Sequence, residues 1–277
     1  MKNFILIIVF FCFVQIVEAQ TLFPPEAVSN LKELGIKGHV KELIEYSYSA
    51  KYDDNDTSKK RWKTIFEFDQ QGNLLSEIVY SPHGRITSKS LYNYTKKDTV
   101  TISQFDYTNK LANKLILKYD DRGMLIESDQ YNPPIVAPTF KTTFKYDVKG
   151  NEIENDLYFG NGSLAQVAVI FYGRKNQKTE EDFTGKFAIN NKTVYKYDEL
   201  GYLIEEETIN KDDSAPTIEL KYAKHDKYGN WLMKVYVNDP QGKAAAIVIK
   251  ELTKANIKAT KENFKNKQIT TREIKYF

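Results

Sequence analysis

A motif of an aromatic residue, aspartate and glycine recurs with a period of about 26 residues, and this repeat constrains the fold more than any other feature. The residue that opens each motif is aromatic or histidine and occurs at Phe68, Tyr94, Tyr119, Tyr146, Tyr172, Tyr197 and His225. Five copies continue with aspartate and, three residues later, glycine: Asp69/Gly72, Asp120/Gly123, Asp147/Gly150, Asp198/Gly201 and Asp226/Gly229. The copies at Tyr94 and Tyr172 keep the spacing but have lost both residues.

The D-x-x-G spacing has the chemistry of a tight turn. An aspartate at the first position accepts hydrogen bonds from the turn amides, and a glycine at the fourth adopts positive φ without steric cost. Alternating segments such as TVYKY and YLIEEETI flank the turn, and looser turns such as Ser81–Gly84 fall about half a period later. Each copy therefore predicts one β-hairpin, and seven copies predict about fourteen strands.

The predicted fold is all-β. We expect an antiparallel meander of about seven β-hairpin repeats in an open twisted or wrapped sheet, with short helical segments near both ends. Residues 20–277 form a single predicted domain: a cap and first strand in 20–45, the repeats in 62–250, and a helix or loop plus a closing strand in 251–277. The pattern leaves open whether the sheet closes.

Residues 1–19 have the pattern of a secretory signal peptide. Lys2 precedes the apolar run Phe4–Val14, which is too short to favour a membrane span, and Val17 and Ala19 fit a cleavage site. The sequence predicts cleavage after Ala19 and export to the periplasm, the cell surface or the medium; an uncleaved membrane anchor is the alternative. Because the one cysteine, Cys12, lies in the removed part, we expect neither a disulfide nor thiol chemistry.

The charge balance argues against a nucleic-acid partner. The chain has 40 Lys and Arg against 37 Asp and Glu, which gives a net charge of +3. The mean hydropathy of −0.53 and strands with charges on both faces predict that the mature chain does not insert into a membrane.

The sequence predicts no catalytic, cofactor-binding or metal-binding residues. The three histidines, His39, His83 and His225, are interpreted as surface or turn residues. The run from Asp54 starts like a calcium loop, but it lacks the glycine and the terminal glutamate that such a loop requires. Carboxylates occur in runs that suit a solvated strand face, and a pair of them could also serve a glycosidase; the runs are Glu180–Glu181, Glu205–Glu207 and Asp212–Asp213.

Aromatic side chains are the remaining candidates for binding. We select Tyr119, Tyr146, Tyr197 and Trp231, because alternating aromatic residues on a sheet face stack on sugar rings or pack against a partner. The alternative interpretation is that these rings only stabilise cross-strand pairs.

The repeats resemble the YD repeat of bacterial Rhs proteins and animal teneurins. YDELG, YDDRG and YDVKG, each followed by an alternating strand that bears glutamate, carry the resemblance, which covers roughly residues 66–237. The step is longer here than in the usual YD repeat, and the hairpin pattern is also similar to MORN-like repeats. The resemblance implies an array of β-hairpins that wraps or shields something, or that presents a surface.

Three functions compete at this point. The first is a non-enzymatic secreted or envelope scaffold that binds a protein or glycan through an aromatic sheet face. The second is a carboxylate-dependent hydrolase of cell-surface polysaccharide. The third is an outer-membrane β-barrel, which the many strands and the terminal Phe277 favour and the charged strands oppose.

Overall fold

The computed structural model describes residues 31, 34–49, 61–96, 98–186, 191–199, 201–209, 218–238 and 267–277. Strands dominate these ranges, and each pairs antiparallel with its neighbours in sequence. The strands are β1 Val40–Ser49, β2 Trp62–Phe68, β3 Leu74–Tyr80, β4 Ile86–Lys96, β5 Thr99–Asp106, β6 Leu111–Tyr119, β7 Leu125–Tyr131, β8 Phe140–Tyr146, β9 Glu152–Phe159, β10 Leu164–Tyr172, β11 Lys178–Gly185, β12 Asn191–Tyr197, β13 Leu203–Ile209, β14 Ile218–His225, β15 Trp231–Asn238 and β16 Lys267–Tyr276. The prediction of an all-β antiparallel meander is confirmed.

The first and last strands pair with each other. In β1, Leu43 lies opposite Phe66 of β2 on one side and opposite Ile274 of β16 on the other. The strand order consequently runs once around a ring and returns to its start. Of the two forms that the sequence left open, the sheet takes the wrapped one, and none of the described strands lies at an edge of the sheet.

The repeat motif forms the turn that its chemistry requires. Asp147 Oδ1 accepts hydrogen bonds from the backbone N–H groups of Lys149 at 2.8 Å and Asn151 at 2.9 Å. Gly150 has φ of 83°, and its N–H donates to the carbonyl of Asp147 at 3.0 Å. The other four motif glycines also have positive φ: Gly72, Gly123, Gly201 and Gly229.

The degenerate copy at Tyr172 keeps the turn by substitution. Asn176 stands where the motif has glycine and has φ of 59°, and its N–H donates to the carbonyl of Gly173 at 3.0 Å. Asparagine tolerates this left-handed conformation better than other residues with a side chain. The hairpin geometry is thus preserved where the motif is lost.

The two faces of the ring differ in chemistry. One face bears cross-strand ion pairs between adjacent strands, such as Lys141 Nζ with Glu127 Oε2 at 2.9 Å and Lys192 Nζ with Glu180 Oε1 at 2.5 Å. Further pairs on this face are Lys118–Asp129, Lys145–Glu154, Lys196–Glu205 and Lys275–Glu42. The lysines of all these pairs are 40% to 62% exposed, as expected of the convex, outer face.

The opposite face is concave, because its side chains interact across strands that are not neighbours. Glu45 of β1 acts electrostatically on Glu77 of β3, and Glu181 of β11 acts on Glu206 of β13. Leu115, Phe144 and other buried apolar side chains share this inner face with most of the repeat tyrosines.

Apolar side chains of the N-terminal segment pack at the turn end of the ring. Leu31 and Ile36 form a buried cluster with Leu43, Phe66 and Phe68, and Leu34 and Tyr276 pack against it. The cluster joins the predicted cap to the first strands and to the closing strand. Leu31 itself is helical, whereas the predicted segment 251–266 lies outside the described residues.

Candidate functional site: the inner wall of the sheet

The predicted aromatic residues lie on the inner face rather than on an open surface. Tyr119, Tyr146 and Tyr197 end β6, β8 and β12, and all three are half-buried. Tyr146 Oη donates to the carbonyl of Leu125 at 2.8 Å, and burial, followed by the nearby Glu152 carboxylate, raises its pKa. These tyrosines therefore form a row inside the ring, close to the D-x-x-G turns.

An equivalent hydrogen bond occurs two repeats earlier. Tyr94 Oη donates to the carbonyl of Leu74 at 2.9 Å, so each hydroxyl reaches the first strand residue after the preceding turn. This recurrence gives Tyr94 and Tyr146 a structural role in joining successive hairpins. A binding role for the selected tyrosines stays a prediction.

Trp231 occupies a different part of the inner wall, with 7% of its surface exposed. The guanidinium carbon of Arg272 lies 3.5 Å from the centroid of its ring, and Lys234 Nζ lies 4.9 Å from it. The Tyr222 ring is 5.8 Å away, centroid to centroid. Trp231 is consequently the centre of a cluster of cations and aromatic rings.

Charged residues that the sequence did not single out accompany these rings. On one part of the wall, Lys178 Nζ contacts Glu181 Oε2 at 2.9 Å and lies 4.5 Å from the centroid of the Tyr195 ring. Tyr195 Oη donates to the same Glu181 oxygen at 3.0 Å. A lysine, a glutamate and a tyrosine thus satisfy one another inside the ring.

Glu152 lies near this trio and is 4% exposed. Asn155 Nδ2 donates to its Oε1 at 2.7 Å. Burial raises the pKa of Glu152 to about 7, with a further contribution from the Glu181 charge, against the opposing effects of Asn155 and Lys178. This carboxyl group therefore keeps its proton to a higher pH than an exposed glutamate does.

The second charged part of the wall surrounds Trp231. Arg272 Nε donates to Glu45 Oε1 at 2.7 Å. Burial lowers the pKa of Lys234 to about 8, and burial raises the pKa of Glu77 to about 7. Burial also raises the pKa of Glu206. The Glu45 charge acts on both Lys234 and Glu77, and the Glu206 charge acts on Lys234, so these groups belong to one electrostatic cluster.

The carboxylate runs considered for hydrolysis divide between the two faces. Glu205 pairs with Lys196 on the outer face, whereas Glu206 lies on the inner face. The alternation of a strand separates Glu180 from Glu181 in the same way. Glu181 and Glu206 are therefore the carboxylates from these runs that lie together on the inner face. Asp212 and Asp213 lie outside the described residues.

The histidines lie at exposed positions, as predicted. His39, His83 and His225 are all exposed, and the His225 ring is 5.5 Å from that of Tyr202. Within the described ranges no group of three or more histidine, cysteine or acidic side chains is arranged to hold a metal ion.

Among the described residues, no helix is long and apolar enough to cross a bilayer. The outer face of the sheet bears a lysine or acidic residue on most strands, in ion pairs that would be costly against lipid. An apolar part of this face, which includes Ile44, Val235 and Ile269, is buried rather than exposed. The outer-membrane alternative is therefore not favoured.

A solved structure with a similar fold is a porin-like protein from Bacteroides uniformis, with a TM-score of 0.56 and 9% sequence identity. The match covers 85% of this chain and 98% of that one, and at this identity it shows the fold alone.

Two Tc toxin structures also match, TcdB2-TccC3 and the Photorhabdus luminescens Tc holotoxin pore. Both are 15% identical, with TM-scores of 0.22 and 0.20; they cover 65% and 64% of this chain and 10% of each toxin chain. Such scores carry no argument, so the YD-repeat family stays a resemblance of sequence. No family model and no curated protein matches the chain.

Sequence reasoning missed Lys178, Lys234 and Arg272 because lysine and arginine usually face water. For Lys234 and Arg272 a signal was present in the strand alternation, whereas Lys178 is brought to the inner face by a β-bulge. In TVYKY, Lys196 alternates with the aromatic residues, whereas in MKVYV, Lys234 has the same parity as Tyr236. A cation on the aromatic face of a strand is the pattern that identifies an inner position.

Proposed function

We propose that this chain is a non-catalytic binding protein of the cell envelope that holds a glycan against the inner wall of its ring. The observation that supports this most is the composition of the wall, where Trp231, Tyr222 and Tyr236 lie beside Lys234, Arg272 and carboxylates. Aromatic faces stack on sugar rings, while charged and hydroxyl groups bond to sugar hydroxyls.

A glycan fits this location better than a folded protein does. The selected aromatic residues lie on the inner face of the ring, and a single chain of sugar units is narrower than a folded protein. The outer face, by contrast, already pairs its own charges across the strands, as Lys192 does with Glu180. A protein partner of the outer face is the alternative that the test below addresses.

The envelope location rests on residues 1–19. Their pattern predicts export, and the fold shared with the porin-like protein is compatible with it. N-terminal sequencing of the exported protein tests this directly. A first residue of Gln20 agrees with the proposal, and retention of residues 1–19 contradicts it.

The binding test uses the purified mature chain and a panel of neutral and acidic oligosaccharides, with affinity measured by isothermal titration calorimetry. The double variant Tyr222→Ala/Tyr236→Ala removes two inner rings, and Tyr158→Ala is the control because Tyr158 lies on the outer face opposite Lys141. We expect a loss of about 1–3 kcal/mol of binding free energy per inner ring and little change in the control. Equal affinities in all three proteins would refute the inner-wall site.

A hydrolase is the second candidate, and one observation favours it. The pKa of Glu152 is about 7, which suits a general acid at neutral pH, and the Glu181 charge acts on it. The same oligosaccharides are therefore incubated with the protein and analysed for cleavage. Turnover that disappears in Glu152→Gln would replace the non-catalytic proposal with the enzymatic one.

A further inference from the structure

Arg272 has a hydrogen-bonding group for which the described residues supply no acceptor. The residue is 9% exposed, its guanidinium stacks on Trp231 at 3.5 Å, and its Nε bonds to Glu45. Its Nη1 is buried and has no hydrogen-bond partner within the part of the chain that the structure describes. Buried donors are nearly always paired, so an unpaired guanidinium nitrogen indicates a missing acceptor.

Lys234 is a second cation close to the same ring. Its ammonium lies 4.9 Å from the Trp231 centroid and 4.7 Å from the Tyr236 centroid, and within the described residues it forms no ion pair. The carboxylates of Glu45 and Glu206 stabilise the charged form of Lys234 without forming an ion pair with it, whereas the positive charge of Arg272 destabilises that form. A buried cation without a partner is costly, and an anionic ligand would offset that cost.

Two hydroxyl groups complete the surroundings. Tyr222 and Tyr236 are half-buried, and neither hydroxyl has a hydrogen-bond partner among the described residues. The Tyr222 ring lies 5.0 Å from that of Tyr202 and 5.8 Å from that of Trp231, centroid to centroid. Among the described residues, a short stretch of wall therefore offers one ammonium without an ion pair, one guanidinium nitrogen without an acceptor, two unpaired hydroxyls and adjoining aromatic faces.

We propose that Lys234 and Arg272 form an anion subsite that takes the carboxylate of an acidic sugar whose ring lies against the aromatic cluster around Trp231. This inference deepens the proposed function and rests on it. The planar carboxylate accepts from the guanidinium and the ammonium together, and the ring that carries it supplies hydroxyls for Tyr222 and Tyr236. Arg272 Nε already donates to Glu45, which leaves the carboxyl groups of Glu77 and Glu206 to accept hydrogen bonds from sugar hydroxyls.

The experiment compares trigalacturonate with its methyl ester, which keeps the sugar rings and removes the charges. Affinities for the purified mature chain are measured by calorimetry at low ionic strength. We expect the acid to bind at least about tenfold more tightly than the ester, and Lys234→Met to abolish this preference, since one charge-assisted hydrogen bond has about that effect. The control, Lys196→Met, removes an outer lysine of the ion-pair face and leaves the preference intact.

The outcomes separate this inference from the function on which it rests. Equal binding of acid and ester overturns the anion subsite and leaves glycan binding standing. The absence of binding by either, together with no binding of neutral oligosaccharides, overturns both.

A second measurement keeps the test decisive if Lys234→Met does not fold. The wild-type protein is reductively methylated with and without trigalacturonate, and the extent of modification at each lysine is read by peptide mass spectrometry. Protection of Lys234 but not of Lys196 supports the subsite. Equal modification of Lys234 under both conditions contradicts it.

Discussion

Glu152 is a carboxylate that the fold holds almost entirely away from water, and its replacement by glutamine has a calculable effect. Burial raises its pKa from 4.5 to about 7. A raised pKa means that the folded state binds the proton more tightly than the unfolded state does. The stability from this group is therefore fully present below about pH 4.5 and is lost as the pH rises through about 7.

The size of the effect follows from the shift. A change from 4.5 to about 7 corresponds to about 3 kcal/mol between acid and neutral conditions. Glutamine is neutral at every pH, has nearly the same shape and still accepts the hydrogen bond from Asn155. We expect Glu152→Gln to equal the wild type within about 1 kcal/mol near pH 4.5 and to exceed it by up to about 3 kcal/mol near pH 8.

The assay is urea denaturation of both proteins across this pH range, with the difference in unfolding free energy plotted against pH. Glu154→Gln is the matched control, because Glu154 lies on the same strand but faces outward, where Lys145 pairs with it. The difference curve of the control should not rise with pH. A flat curve for Glu152→Gln would show that Glu152 is not desolvated and would refute the placement of its side chain.

Two further predictions concern the turns and the end of the ring. Gly201→Val should destabilise the folded protein by about 1–3 kcal/mol because Gly201 has φ of 88°, and Gly201→Asn should destabilise it less, since Asn176 adopts φ of 59° in an equivalent turn. Thermal melting of both variants tests this, and equal melting midpoints for Gly201→Val and the wild type would contradict the turn assignment. Asn230→Ala should lower the free energy of unfolding by about 2 kcal/mol, because the backbone N–H of Lys37 donates to Asn230 Oδ1 at 2.7 Å and would lose this acceptor. Urea denaturation measures the change, and an unchanged midpoint would show that this contact does not hold the N-terminal segment in place.

The repeat units could be predicted from sequence because their chemistry is local. Asp147 and Gly150 determine their turn within four residues, and the alternating segments on either side then pair as the two strands of a hairpin. The degenerate copy was harder, since Gly173 and Asn176 exchange the expected residue types while preserving the geometry. Its position was predicted by the period rather than by the motif.

Closure of the sheet had no comparable signal. It depends on pairing between β1 and β16, where Ser47 meets Thr270 across 223 residues of sequence. Whether such distant strands meet is determined by the accumulated twist and tilt of all the strands between them. A repeat pattern specifies how each strand pairs with the next, but it does not determine the total twist and tilt of the sheet.

The site was predicted only in part for the same reason. Tyr119, Tyr146, Tyr197 and Trp231 were selected for their ring chemistry, but the side on which they lie follows from closure. Once the ring closes, one face of the sheet becomes the interior, and charged residues on that face, such as Lys234 and Glu152, lose contact with water. Lys196 and Glu154 lie on the outer face and remain ordinary surface residues. Glu154 faces outward although it is two residues from Glu152, because a β-bulge shifts the register between Lys145 and Tyr146.

The most direct test of the central claim, that the sheet closes and so creates an inner wall, is a disulfide across the closing seam. Ser47 Oγ and Thr270 Oγ1 are 3.4 Å apart, so Ser47→Cys/Thr270→Cys in a Cys12→Ser background should oxidise within the folded monomer. The control, Ser47→Cys/Ser103→Cys, places the second cysteine on the outer face of β5, opposite Lys114, and should not cross-link. Peptide mapping under non-reducing conditions should find the first disulfide in nearly every molecule, and two free thiols in the folded Ser47→Cys/Thr270→Cys protein would contradict closure.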